Sequence, residues 1–118
     1  MLMIEAVIRP NRLDAVKTAL AGVGILGLSA MEVRGFGKQL GHTERYRGSR
    51  NDVGFVPKVM VKICVNSDDK EKAVKVITEA ARTGGGSGAG AVGDGKIFIY
   101  PVTEVIRIRT GETNEAAI

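Results

Sequence analysis

Apolar and polar positions along the chain follow two alternating periods. The opening MLMIEAVIRP is apolar and β-branched up to Pro10, which predicts a strand stopped by a residue that cannot donate to a ladder. In NRLDAVKTALAGVG the apolar residues Leu13, Val16, Leu20 and Val23 recur at three- and four-residue spacing, one face of a helix. Asn11 suits its N-cap, and Gly22 and Gly24 suit its end. GLSAMEVRGFG then reads as a second strand, with Leu28 and Ala30 on one side and Met31 and Val33 on the other. PKVMVKICVN predicts a third strand. SDDKEKAVKVITEAARTG predicts a helix capped by Ser67 or Asp68, with acids in its first turn and Ala73, Val74, Ile77, Ala80 and Ala81 as its apolar face. KIFIYPVTEVIRIRTG predicts a final strand, broken or bulged at Pro101.

Two stretches carry no period. Residues 37 to 55 form a long loop, of the kind that in compact domains is functional or disordered. Residues 82 to 96 are dominated by glycine, with seven glycines between Gly84 and Gly95. By composition this is a flexible linker, yet it ends in Gly-Asp-Gly-Lys and runs directly into a strand. The element order is βαββαβ, which predicts an α+β, ferredoxin-like domain over residues 1–118: one antiparallel sheet with two helices on one face. Val, Ile and Met on both sides of the strands predict association through the other face.

Composition narrows the picture. A length of 118 residues fits one domain with a small core. The excess of 17 Lys and Arg over 13 Asp and Glu, a net charge of +4, suits anionic small ligands or a membrane-protein partner and is too small to argue for nucleic acid. The single cysteine, Cys64, excludes an internal disulfide and suggests a reducing compartment; its apolar surroundings predict a small buried residue. No segment approaches the roughly 20 apolar residues of a membrane span, and the N-terminus lacks a signal peptide's basic region, so the cytoplasm is the expected location.

Three constellations bear on chemistry. GAVGDGKI, from Gly90 to Ile97, matches the first part of a P-loop, but Ile97 stands where Ser or Thr would bind Mg²⁺ and a strand follows in place of a helix. Glycines still let backbone N–H groups approach an anion, and Lys96 adds charge, so a phosphate cradle and a plain surface loop stand equal on these residues. In RIRT, a strand would put Arg107 and Arg109 on one face, a pair that an anion would relieve; a solvated strand edge reads as well. The long loop holds five Arg or Lys and one acid, Glu44, between residues 34 and 50, which suits a protruding arm for a partner. His42, the only histidine, has no Cys or carboxylate at metal-ligand spacing and no nucleophile to activate, so neither a zinc site nor a catalytic pair is expected.

Taken together, IEAVIRPNRLDAVKTAL, EVRGFGKQLGHTERYRG, FVPKV, GDGKIFIYPV and EVIRIRTGE resemble the PII nitrogen-regulatory signal-transduction proteins, in the family's order and over essentially the whole chain. The resemblance implies a homotrimer of the ferredoxin-like fold that is not primarily an enzyme. It implies clefts between subunits that bind ATP or ADP and, with Mg-ATP, 2-oxoglutarate. The long loop, the T-loop of residues 37–55, would then engage or release a target such as an ammonium channel, another transporter or a metabolic enzyme. That would recruit a cytoplasmic protein to the inner face of the membrane without insertion.

Roles for residues follow from the same resemblance. Gly37 and Lys38 would lie at the nucleotide, and Gln39 would help hold Mg²⁺ and 2-oxoglutarate. Gly41 would join Gln39 at the keto-acid, and Lys58 would pair with one of its carboxylates. Gly93, Asp94, Gly95 and Lys96 would form the phosphate-binding B-loop. Arg107 and Arg109 would reach nucleotide held at a neighbouring subunit, and Ser29 would replace a threonine near the adenine. Tyr46, Arg47 and Ser49 would contact the partner, Arg47 as a plug for a channel mouth.

The chain also departs from the family pattern. Asn51 replaces the tyrosine that many relatives have uridylylated, which removes that modification at this position. Ser49 matches a residue phosphorylated in some relatives. Leu40 replaces a usual lysine, Lys62 a usual glutamate, and Gly54 loosens the second limb of the T-loop. Relatives have two residues between Thr-Gly and Gly-Asp-Gly-Lys; this chain has eight, GGSGAGAV, so Gly85 to Gly90 reads as a mobile insertion ahead of an intact phosphate turn. These changes suit a divergent paralogue with a different target or a slow ATPase side activity. A dedicated enzyme lacks a general base here. An RNA-recognition sheet would need more stacking aromatics than Phe98 and Tyr100.

Overall fold

A computed structural model of the chain describes residues 1–37, 54–84 and 89–118. Strands β1 (Leu2–Ile8), β2 (Ser29–Gly35), β3 (Val56–Val65) and β4 (Gly95–Pro101) form one antiparallel sheet in the order β2-β3-β1-β4. Helices α1 (Leu13–Gly22) and α2 (Lys70–Ala81) pack on each other over one face of it. This is the ferredoxin-like arrangement that the βαββαβ order predicts. The period of two in β1 and β3 decides the core: Ile4, Ala6 and Ile8 lie beside Val59, Val61, Ile63 and Val65, all buried. Val16 and Leu20 of α1 and Ala73, Ile77 and Ala81 of α2 close over them.

Both helix starts differ from expectation. Each is entered through a 3-10 turn, Pro10–Arg12 before α1 and Ser67–Asp69 before α2, and neither has a side-chain cap bond. Pro10 favours this route, because its fixed φ suits a first helical position and its missing N–H leaves no orphan donor there. Asn11, Ser67 and Asp68 therefore lie inside the turns and do not cap the helices. The end of α1 is the one expected. Gly24 takes φ +85, its N–H donates to the Ala21 carbonyl, and that of Ile25 donates to Leu20, the paired bonds of a Schellman motif. Gly22 is simply the last helical residue.

The final strand is shorter than predicted. β4 stops at Pro101, because an edge strand can end on a residue without an N–H but cannot pair through it. The chain then makes a small separate hairpin, in which Ile106 bridges Thr113 and the Arg107 N–H donates to the Glu112 carbonyl at 2.9 Å. Arg107 and Arg109 thus sit around a turn and are not neighbours on a strand face. The last residues are ordered as a 3-10 turn, Asn114–Ala117. Cys64 is half-buried, on the sheet face away from the helices, and burial pushes its thiol pKa up.

Candidate functional site

That second face carries no helix. By register it presents Met3, Val7, Met31, Val33, Met60, Phe98 and Tyr100. Among these apolar side chains stands a polar cluster: the Tyr100 hydroxyl donates to Glu5, and Lys62 pairs with the same carboxylate at 3.3 Å. The Tyr100 bond and the lysine together hold Glu5 below its ordinary pKa against a smaller opposing effect of burial. Lys62 is therefore already engaged within the chain.

A cleft of about 300 Å³ opens on this face, at the end of the sheet where β1 finishes and β3 begins. Its lining brings together residues far apart in sequence: Gly35 at the end of β2 and Gly37 after it, Lys58 on β3, Gly93 in the turn before β4, and Gly95 and Lys96 at the start of β4. The described lining residues include two ammonium groups and no carboxylate. Lys58 is only 8 % exposed. Burial lowers its pKa, Arg9 adds to that, and Asp94 works in the opposite sense. Its ammonium donates to the Gly93 carbonyl, so the lysine is tied to the turn. Such a cleft suits an anion. A divalent metal ion fits there only in the company of anionic oxygens, since the described lining would repel it alone.

Gly95 explains how the turn reaches the sheet. Its φ is +117, and a Cβ placed there would lie 1.8 Å from the Val7 carbonyl oxygen. Only glycine lets the backbone pass this close to β1. Asp94 faces the other way. Its carboxylate does not line the cleft; it accepts from the Thr83 hydroxyl and N–H, the Ala91 N–H and Arg9. Burial opposes its charge, but these four bonds outweigh that and hold its carboxyl well below the usual carboxylate range.

The root of the long loop is also built from aromatic groups. The Phe36 and Phe55 rings meet at 5.8 Å between centroids, and the Arg34 guanidinium lies 5.5 Å from the Phe55 centroid. Gly54 has φ +98, and a Cβ there would lie 2.3 Å from the Phe36 ring. Gly54 therefore does more than loosen the second limb: it lets the chain pass under that ring.

Ser29 and the two arginines lie elsewhere. Ser29 pairs with Lys62 at the start of β2, six residues along that strand from Gly35 and level with Glu5 in the middle of β1. Val102 follows β4 and bonds Met1, so the segment carrying Arg107 and Arg109 leaves from the end of the sheet opposite the cleft. The seven residues of β1 separate the two ends by about 20 Å at ~3.3 Å per residue. Within one chain, then, Lys58, Gly93, Gly95 and Lys96 converge, and Ser29, Arg107 and Arg109 do not join them. Lys38, Gln39, Gly41, Tyr46, Arg47 and Ser49 lie outside the described residues, as do residues 85–88 of the insertion. Sequence reasoning missed Arg9, Thr83 and Phe36. Arg9 had no local signal at all, because it meets Asp94 across 85 positions.

The chain is similar over its whole length to known proteins. A family model described as "Nitrogen regulatory protein P-II" matches residues 1–112. A "Nitrogen regulatory protein P-II" of Pasteurella multocida is 51% identical over 118 residues, covering all of both chains. "Nitrogen regulatory protein P-II 1" of Escherichia coli K12 is 50% identical over the same length, again with full coverage of both. Among solved structures, Arabidopsis thaliana PII bound to citrate superposes with a TM-score of 0.79 at 39% identity, covering 99% of this chain and 91% of that one.

Proposed function

The chain belongs to the nitrogen regulatory protein P-II family, and from that premise we propose that it is a non-enzymatic regulator that binds ATP or ADP and, in the presence of Mg²⁺, 2-oxoglutarate. The observation that carries this reading is the cleft where Lys58, Lys96 and the Gly93–Gly95 segment converge, with no carboxylate among the described lining residues. Lys96 and the turn's backbone suit a polyphosphate. Lys58 suits a carboxylate of the keto-acid, and the citrate carried by the Arabidopsis relative is a ligand of the same chemical class. Mg²⁺ would be held by phosphate oxygens with Gln39 and would supply a further seat for the keto-acid.

In this reading one chain carries two half-sites. Lys58, Gly93, Gly95 and Lys96 form one, and Ser29, Arg107 and Arg109, which lie outside the cleft, form the other. A ligand touching both must lie between two copies joined head to tail. Head-to-tail contacts that close make rings, and the apolar sheet face supplies the surface to bury. A homotrimer is the ring that the family resemblance implies. The loop of residues 37–55 springs from Gly37 and Phe55 beside the cleft, so a ligand there biases the loop, through which the chain would regulate a channel, another transporter or a metabolic enzyme.

Native mass spectrometry with added ATP tests this assembly. The expected spectrum is a trimer carrying up to three nucleotides. A monomer, or a trimer that binds no nucleotide, would contradict it.

A further inference from the structure

We propose that Asp94 is a positioning residue of the anion-binding turn and not a ligand of the anion: its carboxylate fastens Thr83 to Ala91, closes the glycine excursion between them, and is moored to the end of β1 by Arg9. The inference rests on the nucleotide-binding reading above for its consequence, but its geometry stands alone.

The carboxylate is saturated. One oxygen accepts the Thr83 hydroxyl at 2.5 Å and Arg9 Nε at 3.0 Å; the other accepts the Thr83 N–H at 3.0 Å and the Ala91 N–H at 2.8 Å. An ionised carboxylate offers about four acceptor directions, and all are used, so none is left for a metal ion. Its neighbours Gly93, Gly95 and Lys96 line the cleft and Asp94 does not, which keeps its negative charge turned from an incoming phosphate.

The ends of the excursion touch beside it. A Cβ on Gly84 would lie 2.9 Å from the Gly90 nitrogen, and one on Gly90 would lie 3.2 Å from the Asp94 carboxylate. Both glycines have positive φ. The chain thus leaves at Gly84 and returns at Gly90 to nearly the same place. Arg9 also donates to the Val92 carbonyl at 2.8 Å, and Lys58 to that of Gly93, so the turn is held from β1, from β3 and from Thr83 at once. Added length between Gly84 and Gly90 need not reach the cleft while this closure holds. A closure is needed most when the excursion is long, because only then does the covalent chain fail to keep Thr83 near Ala91.

The test is a double-mutant cycle on the full chain with two readouts. Asp94→Asn is made in the natural chain and in a chain lacking Gly85 to Gly90, and ATP affinity is measured by calorimetry. Deletion alone is expected to stay within about threefold of the natural affinity. Asp94→Asn should weaken ATP about tenfold in the natural chain and about threefold or less in the shortened one. An equal loss in both would overturn the proposal and make Asp94 a direct ligand. Independently, amide exchange by NMR in the ligand-free protein should quicken at least tenfold at Thr83 and Ala91 in Asp94→Asn; unchanged exchange there would also overturn it. Thr83→Val, a milder change, should move exchange in the same direction, with Thr83→Ser restoring it. If the natural chain binds no ATP, the functional reading fails, while the exchange data still decide the closure.

Discussion

Replacing Gly95 by alanine is expected to cost at least about 3 kcal/mol of folding stability and to abolish ligand binding at the cleft. Two effects add. At φ +117 any L side chain is strained, by about 1–3 kcal/mol. The added methyl would also meet the Val7 carbonyl oxygen at 1.8 Å and the Ile8 Cα at 3.2 Å, both backbone atoms of a central strand that cannot swing aside. Relief requires β4 to peel from β1 at its first pair, Ile8 with Gly95, and that displaces Lys96, which follows directly. Urea unfolding checks the prediction: the midpoint should fall with the slope unchanged. An unfolding free energy within about 0.5 kcal/mol of the natural chain's would mean that the turn does not approach β1 so closely in solution.

Arg109→Ala is expected to weaken ATP more than tenfold while leaving stability nearly unchanged. The hairpin loop offers two guanidiniums. Arg107 is already bound to Glu112, whereas Arg109 is exposed and is paired with no described residue. Between them Ile108 is 99% exposed, a position that makes sense when a second copy covers the loop. A hydrogen bond to a charged group contributes about 1.5–3 kcal/mol, and about 1.4 kcal/mol is tenfold in affinity. Calorimetric ATP titration is the check. Unchanged affinity would mean that the terminal arginines are not phosphate ligands, and the head-to-tail arrangement would lose its main support.

The two periods along the chain sufficed for the sheet, both helices and the core, because burial on one face of a strand or helix leaves a regular trace. β1 and β3 are the clearest cases: Ile4, Ala6 and Ile8, and Val59, Val61, Ile63 and Val65, are buried at every second position. Signals failed where the decisive contact is distant or is set by the backbone. Asn11 looks like a cap, but Pro10 starts the turn one position earlier. The alternation of Ile106, Arg107, Ile108 and Arg109 looks like a strand, but Pro101 has already ended the sheet and Gly111, at φ +74, folds the segment on itself. Gly54 looked like slack, and the Phe36 ring above it leaves room for nothing larger.

In sequence, the division of the glycine run rests on a resemblance in family spacing. The fold gives that division a physical basis, since Gly84 and Gly90 meet and Asp94 fastens the residues on either side. Asp94 itself was grouped with the phosphate turn because it lies inside Gly-Asp-Gly-Lys. Nothing in that motif reveals that its side chain points away from the cleft its neighbours line. Its partner Arg9, next to a strand-ending proline, could be found only once β1 and β4 were paired.

In the proposed function, Lys58 and the Gly93–Lys96 segment serve two ligands in one cleft, the second dependent on the first. Reciprocal coupling of that kind is a free energy, so it appears directly in a titration. Titrating 2-oxoglutarate into the protein by calorimetry, first alone and then with Mg-ATP present, tests it most directly. No heat of binding is expected in the first experiment, and saturable binding is expected in the second. Absence of 2-oxoglutarate binding under every nucleotide condition would contradict it.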